Sequence, residues 1–258
     1  MGLEDIQERF DREIEALGVR IRDADQLKVR EDVFDEVTLI ALYKLVHKKL
    51  ISVIGGSIST GKEANVFYGE HEEKGIVIKI YRIQTANFKR MGEYLAGDRR
   101  FANVRGSRKE IIFTWTRKEY SNLMRAHEVG IPVPEPIAFD RNILIMEFLG
   151  QNERAYPQLR NAEVGDYGAT YHEILGYVKT LYQEGGLVHA DLSEYNILYH
   201  NRPYLIDMGQ SVARDHPKAI PFLIRDIRNI NRFFSGYCDV LEERGIVEGI
   251  IGSSKREL

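Results

Sequence analysis

The amino-acid sequence predicts an α+β protein, on three observations. Apolar residues recur at helical spacing between residues 31 and 49. Three short runs with the composition of strands follow from Ile51 onward. A second helical pattern extends from Ser107 to about Glu128. We therefore expect a small antiparallel sheet with helices before and after it.

Length and composition limit the possible functions. A chain of 258 residues, 43% of them hydrophobic, can bury one substantial core or two small lobes. The formal net charge of −3 argues against a wholly basic nucleic-acid binder. One cysteine, Cys238, allows no intramolecular disulfide and suits a reducing compartment. Because no apolar stretch approaches about 18 residues, we expect a cytoplasmic protein that does not enter a membrane.

Residues 1–50 are predicted to form an N-terminal helical extension. Residues 4–17 give a weak, highly charged helical pattern. Residues 31–49 give a stronger one, in which Val33, Val37, Ile40 and Leu45 fall at helical spacing. The period of the hydrophobic pattern changes at Ile51, so we place the end of the extension there.

The stretch "GGSISTGKEANVFYGE" contains the spacing of a phosphate-binding P-loop, from Gly56 through Gly61 to Lys62. A P-loop requires a Ser or Thr after the lysine and then a helix, whose N-terminus meets the phosphates. Here Glu63 follows, and the next residues have strand composition. The sequence instead predicts a glycine turn between two antiparallel strands.

The strand "GIVIKIYR" places Lys79 on one face with Val77 and Tyr81 and three isoleucines on the other. The strands are predicted to be joined by a turn at Ser59–Lys62 and by a polar turn at Gly75. A buried lysine needs an anion nearby, whereas an edge lysine can extend to solvent. This strand alone leaves both interpretations open.

Residues 185–212 contain the pattern that decides the chemistry. His189, Asp191 and Asn196 are followed, eleven residues after Asn196, by Asp207 and then Met208-Gly209. Two apolar runs frame a hairpin that would bring Asn196 and Asp207 together. Amide and carboxylate oxygens are suitable magnesium ligands, and a separate carboxylate can orient an attacking hydroxyl. The sequence predicts Asn196 and Asp207 as metal ligands and Asp191 as the catalytic carboxylate.

The strings "STGKEANV", "VIKIYR", "HADLSEYNIL" and "LIDMGQS" resemble the RIO family of atypical serine protein kinases, in the branch whose phosphate loop reads S-T-G-K-E-A-N-V. The resemblance extends from about residue 30 to about residue 250. It implies a bilobal protein-kinase-like fold, with a sheet-rich small lobe at 51–149, a reduced helical lobe at 150–258, and ATP between them. Ser59, Thr60, Gly61 and Lys62 would then close over the triphosphate.

Several positions depart from ordinary protein kinases. Gly61 is the single glycine between its strands, Ala190 stands where many kinases carry arginine, and Ser193 stands where a lysine is frequent. There is no A-P-E motif among the 49 residues after Gly209. We expect neither an activation-loop phosphorylation switch nor the usual peptide-docking platform.

A basic segment, residues 82–118, carries ten Lys or Arg and three acidic residues. Its glycines, including Gly92 and Gly97, are expected to interrupt any long helix before Ser107. The part at about 82–106 is either a mobile, solvated insertion or a contact for ribosomal RNA, with Phe88, Tyr94 and Phe101 available for stacking. The sequence leaves the two alternatives open.

The remaining site residues are predicted on the small lobe, apart from two apolar residues of the helical lobe. Glu119 is the candidate partner of Lys79, with Glu110 as the alternative. The carbonyl of Glu147 and the amide of Leu149 would pair with the adenine edge. The predicted apolar shell, whose members could equally be core residues, is Val66, Val77, Met146, Leu198 and Ile206.

The predicted function is that of an ATP- and magnesium-dependent (or manganese-dependent) serine/threonine protein kinase. Lys79 and Lys62 would contact phosphates, and His189 would brace the catalytic loop. The resemblance implies phosphorylation of serine and a role in small ribosomal subunit maturation. If the basic segment is instead a flexible lid near ATP, Ser107 or Thr85 is the candidate site of autophosphorylation. The alternatives are an ATPase switch on pre-ribosomal particles, a small-molecule phosphotransferase of the aminoglycoside or choline kinase type, and a binding module without chemistry.

Overall fold

The structure, a computed structural model, describes residues 20–21, 35–84, 88–101 and 107–252. The chain divides into two compact units built from discontinuous segments. Unit 1 comprises Met1–Arg90, Val104–Tyr120 and Pro136–Ala155. Unit 2 comprises Met91–Asn103, Ser121–Glu135 and Tyr156–Leu258. The helix predicted at residues 4–17 lies outside the described residues.

Unit 1 is built around a six-stranded sheet with the order β1-β2-β3-β4-β6-β5. β1 pairs with β2 in parallel, and the other neighbours are antiparallel. The strands are β1 (Arg20–Ile21), β2 (Val53–Thr60), β3 (Ala64–His71), β4 (Lys74–Tyr81), β5 (Pro136–Asp140) and β6 (Ile143–Glu147). A short hairpin, β7 (Gly150–Gln151) and β8 (Arg154–Ala155), completes this unit's strands. The antiparallel sheet predicted from the three central runs is confirmed.

Helix α1 (Glu36–His47) forms within the residues predicted to be helical from 31 to 49. Asp35 caps it, because its Oδ1 accepts hydrogen bonds from Thr38 N at 2.9 Å and from Thr38 Oγ1 at 2.7 Å. The apolar face of α1 joins the isoleucines of β4 and β6 in one buried cluster. This cluster covers one face of the sheet and leaves the other face for Lys79.

Both predicted turns of the sheet need correction. Ser59 and Thr60 belong to β2, so the first turn comprises only Gly61–Glu63. Gly75 lies within β4, and the second turn is made by Glu72 and Glu73, with φ of 48° and 64°. Left-handed φ values usually select Gly or Asn, which is why the glycine misled the prediction.

The remaining helices are α2 (Phe88–Ala96), α3 (Arg108–Glu128), α4 (Tyr167–Gln183), α5 (Ala219–Phe234) and α6 (Glu243–Ile251). Of these helices, α4, α5 and α6 lie wholly in unit 2, whereas α2 and α3 contribute residues to both units. Unit 2 holds the hairpin β10 (Ile197–His200) with β11 (Arg202–Leu205), and the pair β9 (Leu187–Val188) with β12 (Val212–Ala213). The predicted helix at 107–128 is confirmed. The expectation that Gly92 interrupts a helix is wrong, since Gly92 lies inside α2. Over the part of the chain that is described, no helix combines the length and apolar composition needed to cross a bilayer.

Candidate active site

The turn between β2 and β3 carries the predicted phosphate-contacting residues. Ser59, Thr60, Gly61 and Lys62 are all exposed. The amide of Gly61 donates to the carbonyl of Ala64 at 2.9 Å. A Cβ added at Gly61 would lie 2.9 Å from that same carbonyl oxygen, so a side chain would force the turn to shift. This close approach explains why the one glycine of the loop stands at this position.

Lys79 is buried and ion-paired. Its Nζ lies 2.7 Å from Oε1 of Glu119, and the two side chains are 9% and 1% exposed. Tyr81 Oη donates to the other carboxylate oxygen of Glu119. Glu110 instead accepts a bond from the amide of Ser107 at 2.9 Å. The geometry therefore pairs Lys79 with Glu119 rather than Glu110, and it excludes a lysine that extends to solvent.

The face of the sheet that carries Lys79 also carries three residues of the predicted apolar shell. Directly opposed residues of antiparallel strands share a face. Val66 opposes Lys79, and Val77 opposes Met146. Val66 and Val77 are only half-buried, in contrast to the isoleucines on the other face. This half-exposed apolar surface beside an ammonium group is suited to an aromatic ring that bears an anionic group.

The segment predicted to contact adenine follows β6 directly. Glu147 is the last residue of β6 and is exposed, whereas Leu149 is buried. The amide of Phe148 donates to the carbonyl of Gly75 at 3.1 Å, which attaches this segment to β4. The other two predicted shell residues, Leu198 and Ile206, belong to unit 2 and are half-buried there.

In unit 2, the segment around Asp191 is held from both sides by helix α5. Ala190 has φ of 64°, an unusual conformation for a residue with a side chain. Its amide donates to Asp226 Oδ2 at 2.7 Å, and its carbonyl accepts a bond from Arg225. The amide of Leu192 donates to Asp226 Oδ1 at 3.0 Å. These bonds fix the backbone on either side of Asp191.

Asp226 was not predicted from the sequence. It lies on the apolar face of α5, in line with Leu223, Ile227 and Ile230, and is 1% exposed. Burial raises the pKa of its carboxyl to about 7, against the opposing effect of the two backbone N–H groups. An aspartate on the buried face of a helix was the sequence signal that could have revealed it.

His189 is buried and braces the same segment, as its predicted role requires. Its Nε2 lies 3.1 Å from the carbonyl oxygen of Ile206, and its own carbonyl accepts a bond from Ser211 Oγ at 3.0 Å. Burial lowers the pKa of the imidazole to about 4, so the ring is neutral near pH 7. A neutral ring donates from Nε2 to Ile206 and carries no charge into the site.

Asn196 and Asp207 are brought together by the β10–β11 hairpin, as predicted. Ile197 opposes Leu205, and the amide of Ile206 donates to the carbonyl of Asn196 at 3.0 Å. Asp207 is exposed and has φ of 62° and ψ of 56°, again left-handed. Such backbone strain is frequent at functional residues and requires support from the surroundings. Asn122 supplies it by donating to the carbonyls of Met208 and Ser211 at 2.8 and 2.9 Å.

The donor set fits a magnesium ion. Asn196 Nδ2 donates to the carbonyl of Asp191 at 2.8 Å and to its Oδ2 at 3.2 Å. Because both amide hydrogens are used in this way, the amide oxygen of Asn196 is left for a cation. The exposed Asp207 directly follows Ile206, whose amide bonds to the backbone carbonyl of Asn196. Among the described residues, no group of three or more His, Cys, Asp or Glu could hold a metal. Magnesium commonly takes one or two protein ligands and completes its shell with phosphates and water.

The structure corrects the interpretation of the basic segment. Tyr94 and Phe101 are buried within unit 2, where the Tyr94 ring stacks on Phe222 at 5.2 Å, so neither aromatic ring is available for stacking on RNA bases. Arg100 binds Asp98 and also donates to Asn122 at 2.9 Å, so its guanidinium is committed to the protein. Residues 91–101 are therefore not a solvated insertion. Two arginines of the basic segment, Arg90 and Arg99, are exposed.

An antiparallel sheet with an ion-paired lysine, combined with a helical unit that presents an Asp–Asn loop, defines a phosphotransferase with a protein-kinase-like fold. The family model for the RIO domain matches residues 65–244. The chain belongs to the RIO family of atypical serine/threonine-protein kinases. The predicted fold class and the predicted family are both confirmed.

Relatives with curated names support this assignment. The RIO-type serine/threonine-protein kinase Rio1 of Haloferax volcanii is 43% identical over 231 residues, which are 89% of this chain and 79% of the relative. Serine/threonine-protein kinase RIO1 of Homo sapiens is 39% identical over 229 residues, 86% of this chain and 40% of the relative. The chain thus spans less than half the length of the human relative. The structure of the Rio2 kinase of Chaetomium thermophilum, crystallised as an ADP/Mg2+-phosphoaspartate complex, is similar to this one, with a TM-score of 0.64 and 26% sequence identity. The matched region covers 82% of this chain and 66% of the Rio2 chain.

Proposed function

We propose that this protein uses ATP and magnesium to phosphorylate serine in a protein substrate. The observation that carries the proposal is the Asp191–Asn196 arrangement. Asn196 turns both amide hydrogens towards Asp191, which leaves an amide oxygen for a metal and orients a carboxylate for a hydroxyl. The ADP and Mg2+ in the complex of the Rio2 relative support the choice of nucleotide and metal.

The proposed roles divide between the two units. In unit 1, Lys79 is held by Glu119 to bind phosphate oxygens, and Ser59, Thr60, Gly61 and Lys62 cover the triphosphate. Val66, Val77 and Met146 contact the adenine ring, whose edge pairs with the carbonyl of Glu147 and the amide of Leu149. In unit 2, Leu198 and Ile206 are proposed as further apolar contacts of the nucleotide.

The chemical step depends on three side chains of unit 2. Asn196 and Asp207 would hold magnesium, which when bound neutralises phosphate charge. Asp191 accepts or orients the proton of the incoming serine hydroxyl. The fixed backbone around Ala190 keeps that carboxylate in place without a phosphorylated activation loop.

A second candidate function is an ATPase switch. The phosphoaspartate in the Chaetomium thermophilum relative favours it, because a phosphorylated aspartate can be hydrolysed and return the enzyme to its starting state. For this chain, Asp207 is the proposed acceptor, since its carboxylate is exposed at the metal turn. An acid-labile, hydroxylamine-sensitive phosphoprotein would support this function. An acid-stable phosphoserine would support the kinase.

The test is incubation with labelled ATP and magnesium, with and without small-subunit precursor particles. Phosphate in protein and free phosphate are measured separately in the same samples. We expect phosphoserine in the particle or in the protein itself, with exposed Ser107 at the start of α3 as the site to examine by mass spectrometry. Phosphate release without any phosphoprotein would reject the kinase in favour of the ATPase switch.

The proposed cellular setting is the cytoplasm, on a precursor of the small ribosomal subunit. Exposed Arg90 and Arg99 are the described candidates for contact with ribosomal RNA. Their double replacement by Ser should flatten the salt dependence of particle affinity by up to about one unit of log–log slope per lost phosphate contact. The matched control replaces the exposed Arg154 and Arg244 by Ser. Equal slopes for the two double variants would reject the RNA contact.

A further inference from the structure

Gln210 lies against the catalytic carboxylate, and none of the roles above uses it. It is the last residue of the short 3-10 turn Met208–Gln210 that follows Asp207. Its Nε2 lies 2.7 Å from Oδ2 of Asp191. An ionised carboxylate only accepts hydrogen bonds, so the amide nitrogen of Gln210 must face it. The bond is short and charge-assisted, a class stronger than neutral hydrogen bonds.

Two donors meet on the same oxygen of Asp191. Asn196 Nδ2 reaches Oδ2 at 3.2 Å, and Gln210 Nε2 reaches it at 2.7 Å. The torsion that rotates a carboxylate is otherwise broad and roughly two-fold. Two donors on Oδ2 from separate residues therefore fix this torsion and with it the direction of the whole carboxylate.

The position of Gln210 is itself well determined. The turn that carries it is held by Asn122, which donates to the carbonyls of Met208 and Ser211. Ser211 in turn donates to the carbonyl of His189, two residues before Asp191. The metal turn and the catalytic loop are therefore joined by the Ser211 hydroxyl, which bonds to the backbone of His189, and by the Gln210 amide, which bonds to the side chain of Asp191.

We propose that Gln210 is a positioning residue for phosphoryl transfer, which sets the rotation of the Asp191 carboxylate relative to the attacking hydroxyl. This inference rests on the proposed function, in which Asp191 orients the attacking hydroxyl. It deepens that function by tying the base to the turn that carries the metal ligand Asp207. Misplacement of a catalytic group by a fraction of an ångström lowers the rate without weakening nucleotide binding.

The experiment compares Gln210→Met, which keeps length but removes the donor, with Gln210→Glu, which places a second carboxylate against Asp191. We expect kcat for phosphoryl transfer to fall about 10-fold in Gln210→Met and further in Gln210→Glu. The KM for ATP and the Kd for ADP should change less than about 2-fold, because Gln210 contacts the base rather than the nucleotide. Gln183→Met is the matched control, since it removes a glutamine donor of the same unit that bonds to the carbonyl of Ile250 instead of to Asp191.

A double-mutant cycle separates positioning from general support of the fold. In an Asp191→Asn background, Gln210→Met should have little further effect on kcat, because the group it positions has been removed. A full additional loss in that background, or a parallel loss of ADP affinity, would overturn the inference and show a structural role.

The activity of the wild-type protein separates a failure of this inference from a failure of the proposed function. An active wild type with an equally active Gln210→Met variant overturns the role of Gln210 and leaves the proposed function intact. A wild type that produces neither phosphoprotein nor free phosphate overturns the proposed function, and this inference with it.

Discussion

The two loops proposed to act on the phosphates differ in how each is held within its own unit. Ser59–Lys62 in unit 1 is exposed along its whole length and rests on a tight glycine turn. The segment around Asp191 in unit 2 is flanked by buried Ala190 and Leu192, whose backbone groups bond to side chains of α5. Asn229 adds a bond to the carbonyl of Leu192 at 3.1 Å.

This difference matches what each loop must do. A catalytic carboxylate acts best when its position is fixed before the substrate arrives, since reorganisation during the reaction costs rate. A loop that covers a nucleotide has to admit and release it. Variants of the catalytic segment should therefore change kcat and stability, whereas variants of the phosphate loop should change mainly KM.

Asp226→Asn is expected to have the largest effect. The amide would present at least one N–H to the amides of Ala190 or Leu192, so a buried backbone donor would lose its acceptor. We expect the free energy of unfolding to fall by about 2–4 kcal/mol and turnover to fall by at least about 100-fold. Chemical denaturation and ATP turnover would measure this. Asp239→Asn, at an exposed aspartate, is the matched control, and equal behaviour of the two variants would show that Asp226 does not fix the catalytic segment.

Asp207→Asn is expected to affect chemistry alone. The amide keeps the shape of the side chain but removes the charge that attracts magnesium. Because Asp207 is exposed, the free energy of unfolding should change by less than about 0.5 kcal/mol. Turnover should fall about 100-fold, which corresponds to a loss of about 3 kcal/mol of transition-state stabilisation. Unchanged magnesium-dependent turnover would contradict the assignment of Asp207 as a ligand.

Much of this catalytic segment could be predicted from the sequence because its signals are local. The spacing from Asp191 to Asn196 and Asp207 is fixed by one hairpin, and the alternation around Lys79 is fixed by one strand. Asp226 and Gln210 were missed because their partners are established only by tertiary structure. No local sequence pattern indicates that either residue contacts Asp191 or its neighbours.

For the basic segment, prediction from local sequence failed. Its composition suggested exposure and RNA contact, yet Tyr94 and Phe101 are buried. The residue on which Tyr94 packs, Phe222, lies more than a hundred positions later in the chain, so charge counting within one window could not reveal it. The composition of a segment predicts that its residues are exposed only if no apolar residue from elsewhere in the sequence packs against them.

The ion pair of unit 1 gives the next largest effect. Lys79→Ala alone would leave Glu119 buried without its cation, which costs about 3–5 kcal/mol. A Lys79→Met, Glu119→Gln double variant removes both charges and preserves volume. We expect ATP turnover of the double variant to fall about 10- to 100-fold, because the variant loses a hydrogen-bond donor to the charge that develops on the phosphate oxygens in the transition state. Adenosine affinity should be unchanged, and a loss as large as that in turnover would indicate a damaged sheet instead.

The pH dependence of stability tests whether His189 and Asp226, the two buried titratable groups at the catalytic segment, have the shifted pKa values given above. The pKa of His189 is lowered to about 4, so the unfolded chain binds an additional proton between about pH 6.5 and pH 4, and stability from this group is lost as pH falls through that window. The pKa of Asp226 is raised to about 7, so its contribution has the opposite sign and is lost as pH rises from about 4 to about 7. The two slopes oppose each other in the wild type.

His189→Gln should remove one of these slopes and keep a donor for the carbonyl of Ile206. The stability advantage of the wild type over this variant should be about 2 kcal/mol smaller at pH 5 than at pH 7, at about 1.4 kcal/mol per pH unit for one proton. Denaturant unfolding at both pH values would measure it, with His172→Gln at an exposed histidine as the control. A difference that does not change with pH would show that His189 is not held neutral by burial.

Ser59→Ala is expected to have the smallest effect, because it removes one exposed hydroxyl from a loop that carries little of the fold. The free energy of unfolding should stay within about 0.5 kcal/mol of the wild type. If the hydroxyl binds a phosphate oxygen, the KM for ATP should rise about 3- to 10-fold, the value of one hydrogen bond, with kcat unchanged. Ser52→Ala, which removes the exposed hydroxyl bonded to the carbonyl of Glu70, is the matched control and should leave KM unaltered. A fall in kcat or in stability comparable to that of Asp226→Asn would mean that the phosphate loop is as rigidly required as the catalytic segment, and the contrast between the two loops would not hold.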